Sequence, residues 1–276
     1  MQSKLIWIFS GASFLLLGAL VMKVDRDYVL DKKTSLAFYS RSQLSALSQA
    51  VSTELNAVAK MVAISIQQLK SSNSTEYGSD LPYSRFQMLG TLLPQSSSDS
   101  NWSFEKTFFL TNSGTSEIKS WAPGQIVLLL RTVKEHQIPS DSNFVVTLQN
   151  PQMKKTYIAV ISHFANQWFV GLLGPELFLS LIDHQKGEMK SKSLFFINRF
   201  GQVLAHSTSE YIGTLMKDDP FVGQIISENS VNGGGLIERK MGKTFEYFDR
   251  ATDSNVYSIV STSQLEVFSD RKSNII

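Results

Sequence analysis

A chain of 276 residues, 42% hydrophobic and 18% charged, has enough apolar material for one or two packed domains and too little charge for a disordered polymer. A net charge of +2, spread along the chain, leaves no electrostatic footprint for nucleic acid. Without cysteine there are no disulfides, thiolate metal sites or cysteine nucleophiles, and the histidines at 136, 163, 184 and 206 lack metal-ligand spacing, so no metal or cofactor is expected.

The first predicted element is a membrane anchor over residues 1–27. Leu5 to Met22 (LIWIFSGASFLLLGALVM) is an 18-residue run without a charge. As a helix it spans roughly 27 Å, enough for the hydrocarbon layer. Lys4 precedes it, and Lys23, Asp25, Arg26 and Asp27 close it. The competing reading, a cleaved signal peptide, fits less well: the run exceeds the usual ~7–15 residue apolar core, and no Ala-x-Ala-like site precedes Lys23. Counting Lys and Arg on either side favours a cytoplasmic C-terminal side. No second span is found, because Trp168 to Ile182 is too short and contains Pro175 and Glu176.

A long stalk helix is predicted next, over residues 28–70. Leu44, Leu47, Val51, Leu55, Val58, Val62, Ile66 and Leu69 recur with the α-helical period, and neither Gly nor Pro interrupts Tyr28 to Lys70. The opposite face carries Ser, Gln, Asn and Lys. The stripe must be buried, on the chain's own domain or in part against the same stripe of a second subunit. The sparse flanking charge argues against a pure coiled coil, which uses ion pairs beside its seam.

Two α/β modules follow, over 71–183 and 184–276. Loops are read at Ser71–Ser79 and Gln95–Ser100 from their Ser, Asn and Gly content. SFEKTFFLTN reads as a strand. Pro123 is read at the start of a helix that ends before Pro139. FVVTLQN, TYIAVISHF and QWFVGLL then form three strands, and Gly174–Asp183 a short connecting helix. The order repeats: SLFFINRFGQVLAHS folds at the Asn198–Gly201 turn, and a helix opens at Asp219-Pro220 and ends at Gly233-Gly234-Gly235. GLIERKM, KTFEYFDRA and VYSIVSTS complete three more strands. The triple glycine lacks the strand before, the helix after and the Lys-Ser/Thr of a phosphate loop, so it is read as a turn.

The stretch from Val170 to Ser207, VGLLGPELFLSLID followed by SLFFINRFGQVLAHS, resembles the junction of a double Cache domain, the PAS-like extracytoplasmic sensory domain of bacterial chemoreceptors, sensor kinases and cyclases. The resemblance covers about Tyr28 to Ser263. It implies an α+β chain of two tandem antiparallel-sheet modules, hung from one transmembrane helix of the bacterial inner membrane and lying outside the cytoplasm. The implied role is small-molecule sensing for signal transduction, with a homodimer contact through the stalk and a signalling partner protein. Two departures stand out. The turn carries Asn198-Arg199-Phe200-Gly201 instead of an acidic or amide residue before the glycine. Of the amino-acid-binding subgroup's Arg and Trp-Tyr pair, only Trp121 is matched.

Trp121, Arg131 and Tyr157 are the candidate ligand-binding residues of the first module, because aromatic walls with one cation suit a small organic anion. His206, the histidine of the Val-Leu-Ala-His stretch, is the candidate for the second. No Gly-x-Ser-x-Gly elbow and no paired carboxylates are found, so no catalytic residue and no enzymatic activity are expected. Besides an anchored sensor without its own output domain, two readings stay open. One is an anchored binding protein that presents its modules to a partner; the other is a receptor cut short before a second span and output domain past Ile276.

Overall fold

The computed structural model describes residues 2–71, 75–77, 85–95, 101–110, 115–131, 143–150, 155–164, 166–185, 192–228, 230–239 and 242–268. The segments expected as anchor and stalk form a single helix, α1 (Gln2–Lys70), 69 residues and roughly 100 Å long. Among the described residues no helix is long and apolar enough to cross a membrane. The side chains of residues 5–15, the greater part of the apolar run, lie outside the described residues. The rest of that run, from Leu16 to Met22, is highly exposed.

All eight residues of the predicted stripe, from Leu44 to Leu69, are at most 5% exposed, and they join one apolar cluster with residues of two sheets. The stripe is therefore covered by the chain's own sheets. Complete burial of each such side chain is worth about 1.5–3 kcal/mol, which is why a helix of this length holds its line across the whole molecule.

The first sheet contains β1 (Glu76–Tyr77), β2 (Met88–Gln95), β3 (Asn101–Leu110), β4 (Phe144–Asn150), β5 (Lys155–Phe164) and β6 (Gln167–Leu173), in the order β1-β3-β2-β6-β5-β4. Only the two-residue β1 pairs in parallel. Between β3 and β4 runs α2 (Thr115–Arg131); after β6 comes α3 (Glu176–Gln185). The second sheet contains β7 (Lys192–Asn198), β8 (Val203–His206), β9 (Asn232–Arg239), β10 (Gly242–Arg250) and β11 (Val256–Ser263), in the order β8-β7-β11-β10-β9. Its helix α4 (Pro220–Glu228) lies between β8 and β9, and a short α5 (Gln264–Val267) follows β11. Setting β1 aside and counting each sheet from its own first strand, both run 2-1-5-4-3 with a helix between strands 2 and 3. One grammar is used twice.

Three expectations are corrected. Pro123 lies inside α2, which begins eight residues earlier. An interior proline forfeits a backbone hydrogen bond and strains the turn before it. Here Ile118 and Ala122, which are buried with Ile126 and Leu130 on the sheet, carry the helix through it. Gly233-Gly234-Gly235 is not a turn but part of β9, paired with Phe248, Tyr247 and Glu246 of β10. Aromatic rings of β10 lie close over Gly233 and Gly234, and a Cβ at Gly233 would come within 2.9 Å of the Phe248 ring. The predicted loops also contain β1, and β2 was unforeseen. Residues 132–136 of the expected helix lie outside the described residues.

The sheets are joined at edge strand β4. Asn255 Oδ1 accepts from the Val145 N–H at 2.7 Å, and its Nδ2 donates to the Val145 carbonyl at 3.0 Å. Asn198 Nδ2 donates to that carbonyl at 3.2 Å and to Gln202 Oε1 at 2.8 Å. In the β7–β8 turn, Asn198 Oδ1 accepts from the N–H groups of Phe200 and Gln202, while Gly201 takes φ +77°. Phe200, the departure from the expected turn pattern, packs edge-on against Phe144 of β4, and the Arg199 guanidinium lies over both rings. The variant turn residue thus serves the contact between sheets.

Candidate ligand-binding site

The face of the first sheet turned towards α2 is built by strand alternation. Successive strand residues point to opposite faces, so Tyr157, Ala159 and Ile161 of β5 meet α2, while Ile158 and Val160 meet α1. On α2, Ile118, Ala122, Ile126 and Leu130 recur at four-residue spacing and are at most 2% exposed. That face seats the helix. It leaves Trp121, one step off the stripe, half-buried above the sheet.

Trp121 and Tyr157, both singled out from the sequence, are brought together. Their rings meet edge to face with centroids 5.9 Å apart. Tyr157 is 8% exposed. The Trp121 indole Nε1 is buried without a hydrogen-bond partner among the described residues. An indole N–H is a donor only, and a buried donor left unmade costs about 1–3 kcal/mol. Arg131 is the last residue of α2; its side chain lies outside the described residues.

His206 is not part of this arrangement. It ends β8 in the other sheet, where its Nδ1 accepts from the Thr208 N–H at 2.8 Å, which leaves the neutral ring's proton on Nε2. The ring lies between Phe195, at 5.2 Å, and Tyr211, at 4.7 Å. Burial pushes its pKa below the ordinary 6.5 and outweighs the opposing pull of the Thr208 carbonyl. This histidine closes a strand end.

The sequence reading passed over the remaining aromatic wall. Trp102 of β3 and Trp168 of β6 meet at right angles, 5.2 Å apart, and the His163 ring lies 4.6 Å from Trp168. The signal was available: Trp168, Val170 and Leu172 alternate along β6 and lie in register with His163, Ile161 and Ala159 across the β5–β6 pairing. The charged cluster of the second sheet is of another kind. Arg239 bridges Asp219 and the buried Glu246, with Arg239 Nε 2.8 Å from Glu246 Oε1, and Thr244 and Ser261 also donate to that carboxylate. Asp219 in turn caps α4 by accepting from the N–H groups of Phe221 and Val222. Every member is paired, so the cluster fastens α4 to β9 and β10 and offers no free group to a ligand. Among the described residues no three His, Cys, Asp or Glu side chains gather to hold a metal.

No protein-family model matches the sequence, and no curated protein does. Solved structures do. The extracellular domain of rpHK1S-Z16, provisionally assigned as a histidine kinase, aligns with 86% of this chain and 99% of its own at a TM-score of 0.51 and 14% identity. The ligand-binding domain of the Pseudomonas aeruginosa PAO1 amino acid chemoreceptor PctB, in complex with L-Arg, aligns with 88% of this chain and 99% of its own at a TM-score of 0.50 and 12% identity. At such identities the likeness concerns the fold alone: the chain shares the overall architecture of these two ligand-binding and extracellular domains.

Proposed function

We propose that the chain is a membrane-anchored sensor whose first module, residues 71–183, takes a small organic anion between α2 and its sheet, and whose second module, residues 184–276, carries the signal towards the membrane. The observation that carries this reading is the unpartnered Trp121 Nε1, held beside Tyr157 where α2 meets the sheet. A ligand acceptor placed there would restore the missing hydrogen bond, and two aromatic rings give it an apolar wall. Arg131, at the end of the same helix, supplies the cation. The role is recognition, not catalysis.

Anchoring is supported by the uncharged run Leu5–Met22 and by Leu16, Leu17, Leu20, Val21 and Met22, which are 61–76% exposed among the described residues. The placement outside the cytoplasm follows the extracytoplasmic sensory fold and runs against the Lys and Arg count. The stalk pairs two copies into a homodimer, and a small shift of the paired helices passes the signal to a partner protein.

A thermal-shift screen of the full chain in detergent micelles, against organic anions, amines and nucleobases, tests the central claim. An organic anion is expected to raise the melting temperature, and Trp121→Phe, which keeps an aromatic ring and removes the N–H, is expected to abolish that rise. A screen without any shift, or a shift that Trp121→Phe leaves intact, would end this assignment of the site.

A further inference from the structure

We infer that a second groove, between α1 and the end of β5, takes a short-chain aliphatic monocarboxylate. The groove encloses about 470 Å³, within the ~300–1,000 Å³ usual for small-molecule sites. One wall is a single face of α1 through Asn56, Lys60 and Ile64, at four-residue spacing; the other includes Asn143, Ser162 and Phe164. Ser162 and Phe164 share the alternation of Ile158 and Val160, which face α1. The groove therefore lies on the opposite side of the sheet from Trp121 and Tyr157 and does not depend on the site proposed there.

Its chemistry is graded along its length. At one end Asn143 Nδ2 donates to Asn56 Oδ1 at 2.7 Å. Ser162, 6% exposed, stands one step beyond the Phe144–Ile161 pair and therefore beside Asn143. The next turn of α1 brings Lys60. The Lys60 ammonium, the Ser162 hydroxyl and the Asn56 Nδ2 have no hydrogen-bond or ion-pair partner among the described residues. No carboxylate lines the groove. At the other end Ile64 and Phe164 are 56% and 57% exposed. Phe164 pairs with Gln167, whose side chain accepts from Lys70, so the apolar end points towards the C-terminus of α1.

A cation and two neutral donors at one end, with a hydrocarbon wall at the other, match one carboxylate carrying an alkyl tail. The headgroup gains charge-assisted hydrogen bonds, and the tail covers Ile64 and Phe164. A primary amine of the same length meets Lys60 as a like charge and is refused. Because the ligand touches the stalk and the sheet together, its binding reinforces the contact through which the stalk is held.

Isothermal titration calorimetry of the full chain in micelles tests this with hexanoate, and with hexylamine and hexan-1-ol as controls for charge. Hexanoate is expected to bind one to one and the controls to give no heat. Lys60→Gln, at an exposed position that leaves the core intact, should weaken hexanoate at least tenfold, whereas Trp121→Phe should not change it. The inference is overturned if hexanoate gives no heat, if hexan-1-ol binds equally well, or if Trp121→Phe and not Lys60→Gln removes the binding. It is also overturned if Ile64→Gln converts a dimer to a monomer in the ultracentrifuge, since the groove would then belong to a contact between copies.

Discussion

At Gly234 the backbone takes φ +139°, and an added Cβ would lie 2.6 Å from the Cα of Tyr247. Neither the conformation nor the space accepts a side chain, and held strain of this kind costs about 1–3 kcal/mol before any clash is counted. Gly234→Ala is expected to lower the melting temperature clearly, whereas Gly235→Ala, with nothing within 4 Å of its Cβ, should change it little. Equal effects at the two positions would contradict the packing of β9 under Tyr247. His206 gives a pH-dependent counterpart. Its folded pKa lies below 6.5 because burial disfavours the imidazolium. The unfolded chain therefore binds the proton more readily, so stability is unaffected above the ordinary pKa and falls as pH drops through it towards the folded value. Proton NMR titration of the His206 ring should give a midpoint below 6.5. A midpoint at or above that value would deny the burial.

Among the elements, β4 is the one whose behaviour can be changed by a single amide. Its outward N–H and C=O at Val145 bond to Asn255, a side chain 110 positions away that is 8% exposed. Asn255→Ala leaves a buried donor unmade at a cost of about 1–3 kcal/mol. Hydrogen exchange at the Val145 amide should accelerate while that of Val160, inside the sheet, keeps pace only with the loss of global stability. The strands that read as short, nearly continuous apolar runs bounded by turn residues, β4, β5, β6 and β11, were legible in the sequence. β2 was not, because Gly90 and Pro94 read as breakers. Yet Gly90 lies under the Phe104 ring, and Pro94 sits past Leu92, where pairing with β6 has ended and no ladder partner is lost on that side. The start of α2 was hidden in the same way, since Pro123 is locally a first-turn residue and only the sheet beneath Ile118 and Ala122 overrules it. Of the candidate site, the meeting of Trp121 with Tyr157 was anticipated. The unpartnered indole N–H could not be, because it depends on what surrounds Nε1 in three dimensions.

For the whole molecule, α1 is the member that touches both sheets. Ser48 and Ser52 reach the second sheet at Asp249, Ser258 and Thr252, while Lys70 reaches Glu105 and Gln167 of the first. The apolar period predicted burial of this stripe but not its cover, which comes from strands far along the sequence. Nearer its N-terminus the helix has a second apolar side. Taking 100° per residue, Val24, Tyr28, Phe38 and Tyr39 fall within an arc of about 100°, all of them exposed, with Phe38 at 77%. That arc is opposite the core stripe of Leu44, Leu47 and Val51, and so turns away from the sheets that cover the stripe. A second copy laid parallel would bring the two arcs together with Ser35 near their centre. Since the chain has no cysteine, Ser35→Cys introduces a single thiol at an exposed position and leaves the aromatic residues in place. Mild oxidation in micelles should then trap a disulfide dimer, a bond that forms only where the two Cα atoms approach within about 7 Å. Lys33→Cys, turned by about 200° to the core side, should remain monomeric under the same conditions. If both variants crosslink equally, encounters in the micelle account for the bond; if neither does, the stalk does not pair along this face and the homodimer proposed above is overturned.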